Sequence, residues 1–251
     1  MQARSNSTRL PKKVLRPLAG KPMLAQELER LKASKRIDAL ILATSDIPDD
    51  DVVANVAAAS GVTVFRGSER DVLDRYYRAA ELARADIVVR VTGDCPLHDP
   101  IVIDLVIEHF LAANVDETMT PVNLPEGLDT DVMTFSALET AAHEAKLPSE
   151  REHVMPYIRK HPERFRLDEK WTLGNGDHSA YHWSVDTEED FQFVSAVYTH
   201  LYKEGTIFHM HDVLRLLREK PELLEIHQGG TGYEWIEKGR HEDEEWLKNH
   251  G

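Results

Sequence analysis

"DIVVRVTGDCP", residues 86–96, is an apolar run that passes straight into a glycine and an aspartate. Ile87, Val88, Val89 and Val91 follow one another with little polar alternation, the pattern of a strand covered on both faces. Strands of that kind belong to parallel sheets between two layers of helices, and the loops at their carboxyl ends are where ligands sit. Thr92-Gly93-Asp94 lies at such an end.

Working upstream, the unit repeats. Leu24, Leu28 and Leu31 share one helical face, after Pro22 at a first-turn position. Ile37 to Ala43 reads as a buried strand, residues 49–59 as a helix stopped by Gly61, Val62 to Phe65 as a short strand ending at Arg66-Gly67-Ser68, and residues 71–84 as a helix. Downstream the pattern loosens over residues 114–149, punctuated by Pro121, Pro125 and Gly127, with a helix near Ser136 to Ala145. This stretch is expected to be an insertion, a substrate subregion or a dimerisation element of a single domain spanning 1–251. Helices follow at about 150–159, 188–202 and 212–218, with a strand at Ala180 to Val185 ending at Asp186. Residues 227–251 form a tail, with Gly229, Gly230 and Gly232 ahead of a charged run, and receive no assignment.

Composition excludes several functions. The chain of 251 residues carries a net charge of -14, so its overall field repels nucleic acid and anionic lipid. No apolar run approaches the roughly 18 to 20 residues that cross a bilayer. The start lacks a secretory apolar stretch and Cys95 is the single cysteine, so a cytoplasmic location and no internal disulfide are expected. Neither nucleic acid nor membrane is expected as a partner.

Against that acidity, "QARSNSTRLPKKVL", residues 2–15, gathers Arg4, Arg9, Lys12 and Lys13 around Ser5, Asn6, Ser7 and Thr8. Hydroxyl and backbone donors interleaved with cations suit a phosphate chain. The spaced glycines and Gly-Lys-Ser/Thr end of a Walker loop are missing, and a solvated basic loop explains the composition about as well. Asp94 and Asp186 each close an expected strand. In one sheet they could share Mg²⁺, which takes one or two protein carboxylates beside substrate phosphates. On the residues alone, a helix-start role suits Asp186 better, since Thr187 and Asp190 follow it. Ser149 with Glu152 forms a capping-box pattern, which does not explain Arg151 and His153, and these two could face a substrate anion. Cys95 reads as a buried turn thiol, and His209-Met210-His211 lacks the further ligands of a metal site.

"ARSNSTRLPKKVL", "LAGKPML", "ILATSDIPDDD", "VFRGSERDVLDRYY", "VRVTGDCPL", "PEGLDTDV", "LPSEREHVMPYIRK" and "WSVDTEEDF" together resemble the cytidylyltransferases related to CMP-sialate and CMP-Kdo synthetases, with the SpsF-like spore-coat polysaccharide branch nearest. The resemblance implies a three-layer, Rossmann-like (GT-A-like) nucleotidyltransferase with a mostly parallel mixed sheet and a small insertion. It implies transfer of CMP from CTP to a small anionic acceptor with release of pyrophosphate, Mg²⁺ as the cofactor, and a possible homodimer. Carried over, the CTP-binding set is Ala3, Arg4, Ser5, Asn6, Ser7, Arg9, Lys13, Ala43, Thr44, Gly67, Ser68, Arg90 and Thr92. Asp94 and Asp186 become metal ligands, with Arg9, Lys13 and Asp94 catalytic, while Asp129, Arg151, Glu152 and His153 line the acceptor site. A GT-A glycosyltransferase is the first alternative, with Asp129-Thr130-Asp131 as its Asp-x-Asp motif, and a non-catalytic nucleotide-binding relative is the second. Three departures stand out. Asn6 and Lys12 occupy positions where the family shows glycine, and an apolar strand expected ahead of Gln2 is represented by Met1 alone, so the stated start is expected to be shortened.

Overall fold

A computed structural model of the chain describes residues 1–7, 9–168, 170–226 and 234–250. Chain order begins with a hairpin, β1 (Pro17–Leu18) and β2 (Lys21–Pro22), and then α1 (Met23–Leu31). The hairpin turns on Ala19 and Gly20, both at positive φ (48° and 83°), which matches the twist of a two-residue connection. Pro22 ends the hairpin and stands as the N-cap of α1, one place ahead of the first turn expected for it. Next come β3 (Ile41–Ser45), α2 (Asp51–Ala59), β4 (Thr63–Gly67), α3 (Val72–Ala83) and β5 (Ile87–Arg90).

The middle of the chain supplies α4 (Pro100–Ala113), β6 (Glu117–Met119), β7 (Asp131–Thr134), α5 (Phe135–Glu144), α6 (Pro148–His153), α7 (Pro156–Arg159) and β8 (Leu167–Asp168). The last elements are α8 (Glu188–Leu201), α9 (Met210–Glu219) and α10 (Glu234–His250). Residues 227–233, including the three tail glycines, lie outside the described residues.

β3 and β4 pair in parallel, and a second group runs β5-β7-β6-β8. Gln2 joins the two groups, bridging Ala43 on one side and Thr92 on the other, both in parallel. The central hydrogen bonds are Gln2 N–H to Val91 O (3.0 Å), Ala43 N–H to Met1 O (2.8 Å) and Gly93 N–H to Gln2 O (2.8 Å). The sheet is mixed, because β7 runs antiparallel to both β5 and β6. Residues 114–149 therefore place two strands and α5 within the main architecture.

Side chains of β5 pack on both faces of the sheet, as its near-continuous apolar run implies. Val88 packs with Leu73, Tyr76, Met133, Leu138 and Ile158 on one face, while Ile87 and Val89 pack with the larger cluster of Leu24, Leu28, Ile103 and Val197 on the other. These clusters put α1, α4, α8 and α9 on one side of the sheet and α3, α5 and α7 on the other, giving a three-layer α/β fold. No helix among the described residues is long and apolar enough to cross a membrane.

Two expected strands shift or shrink. The first begins at Ile41 instead of Ile37, since the Asp104 carboxylate accepts from Ser34 Oγ and the Lys35 and Arg36 amides and ties that stretch into a turn. Residues 180–185 contribute a single bridge, His182 to Glu126. The expected helix at 150–159 is two short ones, broken where Val154 takes φ 70° ahead of Pro156.

Candidate active site

The opening loop is shaped by one buried acid. Asp50 accepts from Ser5 N–H (2.6 Å) and from the hydroxyl of Ser45 at the end of β3, fastening the loop to the sheet. Ser5 O in turn accepts from the amides of Ser7 (3.1 Å) and Lys12 (3.0 Å), closing the loop on itself. Lys12 sits in the left-handed region (φ 57°), at the position where the resembling family shows glycine. Asn6 is not among the residues at positive φ, and its side chain donates to Glu69 (3.2 Å).

That closure aims Lys13 inward. Its ammonium, 8% exposed as a residue, donates to Asp94 Oδ2 (3.1 Å), Asp186 Oδ1 (2.9 Å) and the Val185 carbonyl (2.7 Å). Arg9 Nη2 meets the other oxygen of Asp186 at 2.9 Å. Two backbone features bring the aspartates together. Gly93 lets the Gln2–Ala3 segment pass, as a Cβ there would stand 2.6 Å from that of Ala3. Val185 N–H then donates to Asp94 O (2.7 Å).

Helix capping does not consume Asp186. Thr187 Oγ1 accepts from Asp190 N–H, and Asp190 Oδ2 accepts from the amides of Asp186 and Thr187, so the box is built from Thr187 and Asp190. The Asp186 carboxylate stays with Lys13 and Arg9. Burial raises the Asp94 pKa, but the Lys13 charge and hydrogen bonds from Lys13, Thr92 and Cys95 outweigh it and bring it down to about 2. Lys13 stays charged, because its burial is more than offset by Asp94 and Asp186.

The other residues of the expected CTP-binding set lie along β3, at the end of β4 and in the loops beside them. Ala43 and Thr44 are buried at the end of β3. Gly67 closes β4 with its Cα against Arg75, where a Cβ would stand 3.0 Å from Cγ, and Asp46 N–H donates to Gly67 O (2.9 Å). Ser68 Oγ accepts from Asp71 N–H (3.2 Å) and its carbonyl from Arg75 (2.6 Å). Thr92 Oγ1 lies 3.5 Å from Cys95 Sγ, Ser7 Oγ accepts from Leu10 N–H, and Arg4 reaches Glu152 at 3.5 Å. Thr8 lies outside the described residues.

Other expected residues are engaged elsewhere. Arg90 pairs with Asp131 at 2.7 Å, in a buried network with Arg159 and Glu117. The Arg151 Nε and Nη2 grip both oxygens of Asp71, and its Nη1 donates to Ala142 O, so it clamps α6 to the start of α3. The α6 box also differs from expectation. Glu150, not Glu152, folds back on the Lys146 and Leu147 amides, and Ser149 is held by Asp243 of α10. His153 is half-buried on α6. Asp129 takes the Gly127 amide (2.8 Å), with burial raising its pKa. In the Asp129-Thr130-Asp131 triplet, Asp131 is committed to Arg90 and Arg159, so it does not offer a free Asp-x-Asp pair. His209 forms the start of α9 and meets Asp99 at 2.9 Å. Asp50 is not singled out by the sequence, because the middle acid of "PDDD" reads as an ordinary helix start.

Comparison with known proteins adds to this geometry. Residues 1–224 match the cytidylyltransferase family. The chain is 35% identical over 203 residues to the spore coat polysaccharide biosynthesis protein SpsF of Bacillus subtilis, covering 79% of this chain and 84% of that one. It is 41% identical over 107 residues to a 3-deoxy-manno-octulosonate cytidylyltransferase of Anaeromyxobacter dehalogenans, covering 42% and 43% of the two chains. The solved structure of a cytidylyltransferase from Leptospira borgpetersenii superposes with a TM-score of 0.84 at 33% identity, covering 91% of this chain and 95% of that one.

Proposed function

The chain belongs to the cytidylyltransferase family, and from that premise we propose that it transfers CMP from CTP to an acidic sugar, phosphate or phosphonate acceptor, releasing pyrophosphate, in the synthesis of a surface polysaccharide or glycoconjugate precursor. It is a CTP-dependent nucleotidyltransferase. The convergence of Asp94 and Asp186 on one cation, with Arg9 on the same carboxylate, carries the reading.

The donor set fits a divalent ion. Two hard oxygens from separate segments already stand about 3 Å from a single positive charge, and no group of three acids, histidines or cysteines placed to hold a metal occurs among the described residues. That is the protein share of a Mg²⁺ site completed by water and phosphate oxygens. Asp94 and Asp186 would hold the ion, which when bound neutralises charge on the phosphates. Lys13 and Arg9 stabilise the charge that builds on the departing pyrophosphate, and Ala43, Thr44, Gly67 and Ser68 wall the base. Acceleration comes from positioning and electrostatics, with no covalent intermediate on the protein.

Titration of the protein with CTP, in Mg²⁺, against UDP-sugars tests nucleotide choice, and pyrophosphate release across an acceptor panel tests turnover. Binding of CTP with acceptor-dependent release is the expected result. A preference for UDP-sugars would favour the glycosyltransferase reading, and CTP binding without turnover would favour a non-catalytic relative.

A further inference from the structure

The segment that carries Asp186 also carries a hydrogen-bonded chain of three side chains. Ser184 Oγ lies 3.0 Å from His182 Nε2, and His182 Nδ1 lies 2.8 Å from Glu126 Oε2. Trp183 and Val185 are 1% and 0% exposed in the core, which turns His182, Ser184 and Asp186 to the opposite side, where Asp186 meets Lys13 and Arg9. Trp183 N–H donates to Glu126 O (2.8 Å) and Glu126 N–H to Tyr181 O (3.1 Å), so the partners are pinned by backbone. The approach needs glycine next to Glu126, since a Cβ on Gly127 would stand 2.5 Å from Ser184 N.

An ionised carboxylate only accepts, so Glu126 fixes the proton of a neutral His182 on Nδ1 and leaves Nε2 to accept from the serine hydroxyl. At roughly 3.3 Å per residue, Ser184 stands about 7 Å along the chain from Asp186, within reach of an acceptor seated against the bound phosphates.

We propose that Ser184, His182 and Glu126 form a relay that removes the proton of a hydroxyl acceptor, an inference that rests on the cytidylyl-transfer reading above. The acceptor proton passes to Ser184 Oγ as the serine proton passes to His182 Nε2. The acceptor oxygen forms its bond to the α-phosphorus, and the bond to the pyrophosphate oxygen breaks with its electron pair. Imidazolium, held by Glu126, then returns the proton to water. Ser184 touches the acceptor, His182 takes the proton, and Glu126 is a positioning residue. Glu126, Asp190 and Asp186 face the imidazole; burial lowers its pKa, and these acids outweigh that and raise it.

The test uses His182→Gln, Ser184→Ala and Glu126→Gln. Three readouts apply: Mg²⁺·CTP affinity by calorimetry, pyrophosphate release with 3-deoxy-manno-octulosonate as the hydroxyl probe and with water alone, and the imidazole ¹⁵N–¹H spectrum. His182→Gln and Ser184→Ala are expected to slow release about 100-fold with CTP affinity unchanged, and His182→Gln to abolish the acid limb of the pH profile. Glu126→Gln moves that limb to lower pH. The wild-type spectrum shows Nδ1–H with a bare Nε2, and Ser184→Ala shifts the Nε2 resonance. Wild-type rates and pH profile in the His182 and Ser184 variants, or an Nε2–H tautomer, overturn the relay. A wild-type protein that binds no CTP overturns the functional reading instead, while the spectrum still judges the relay.

Discussion

Lys12 holds a backbone conformation that costs an L-residue about 1–2 kcal/mol, and it does so at the turn that delivers Lys13. Lys12→Gly is expected to raise unfolding free energy by about 0.5–1 kcal/mol, the strain relieved less the extra freedom of glycine when unfolded. Urea midpoints at constant slope report it, and a lower midpoint would contradict the account. Asp94 yields a second prediction. Its folded pKa of about 2 lies below the usual aspartate value near 3.9. A depressed acid contributes stability that is fully present above its unfolded pKa and is lost as pH falls through the folded one. The stability gap between wild type and Asp94→Asn is therefore expected to be constant from about pH 7 to pH 5 and to close as pH falls toward 2, and the variant to release pyrophosphate at least about 100-fold more slowly. A gap that widened on acidification would refute the assignment. At this scale the meeting of Arg9 and Lys13 with Asp94 and Asp186 was legible, as cations among hydroxyls and acids that follow apolar runs. Arg151 was not, because nothing local shows that an arginine on α6 has Asp71, 80 residues back, as its partner.

Elements were legible where an apolar period was uninterrupted. Residues 71–84 and 188–202 each matched a helix to within a residue or two, and the run at 86–92 holds β5. Where long-range partners decide, pattern misled. The alternation at 180–185 looks like a strand, yet the Trp183 and Val185 amides donate to Glu126 and Asp94, which lie in loops with no ladder to extend. The same principle makes the α3–α6 joint testable. Asp71 caps α3 through Asp74 N–H (2.9 Å) while receiving Arg151, so one carboxylate serves both helices. With both side chains partly exposed, Arg151→Leu is expected to cost about 1–2 kcal/mol in thermal or urea unfolding while leaving CTP affinity within about twofold. Loss of acceptor-dependent pyrophosphate release with stability intact would return Arg151 to the expected acceptor site.

At the scale of the whole molecule, the central hydrogen bonds between the β3–β4 group and the β5-led group run through Met1–Gln2, at residues 43 and 91–93. The cationic loop hangs from that same junction: Ser5 is tied to the β3 side through Asp50, and Lys13 to the β5 side through Asp94. On the proposed reading, a nucleotide bound between the β3 and β4 ends and Asp94 touches both groups, so openings that part them also break its site. Ligand at about 100 times its dissociation constant adds about 2.7 kcal/mol to any such opening. Exchange of the Gln2, Ala43 and Gly93 amides with deuterium is therefore expected to slow about 100-fold in saturating Mg²⁺·CTP. Amides in α9, whose local opening leaves the site whole, should change far less. Equal slowing everywhere would mean the molecule opens only as one unit, and no slowing at the three central amides would mean that the nucleotide does not span the junction.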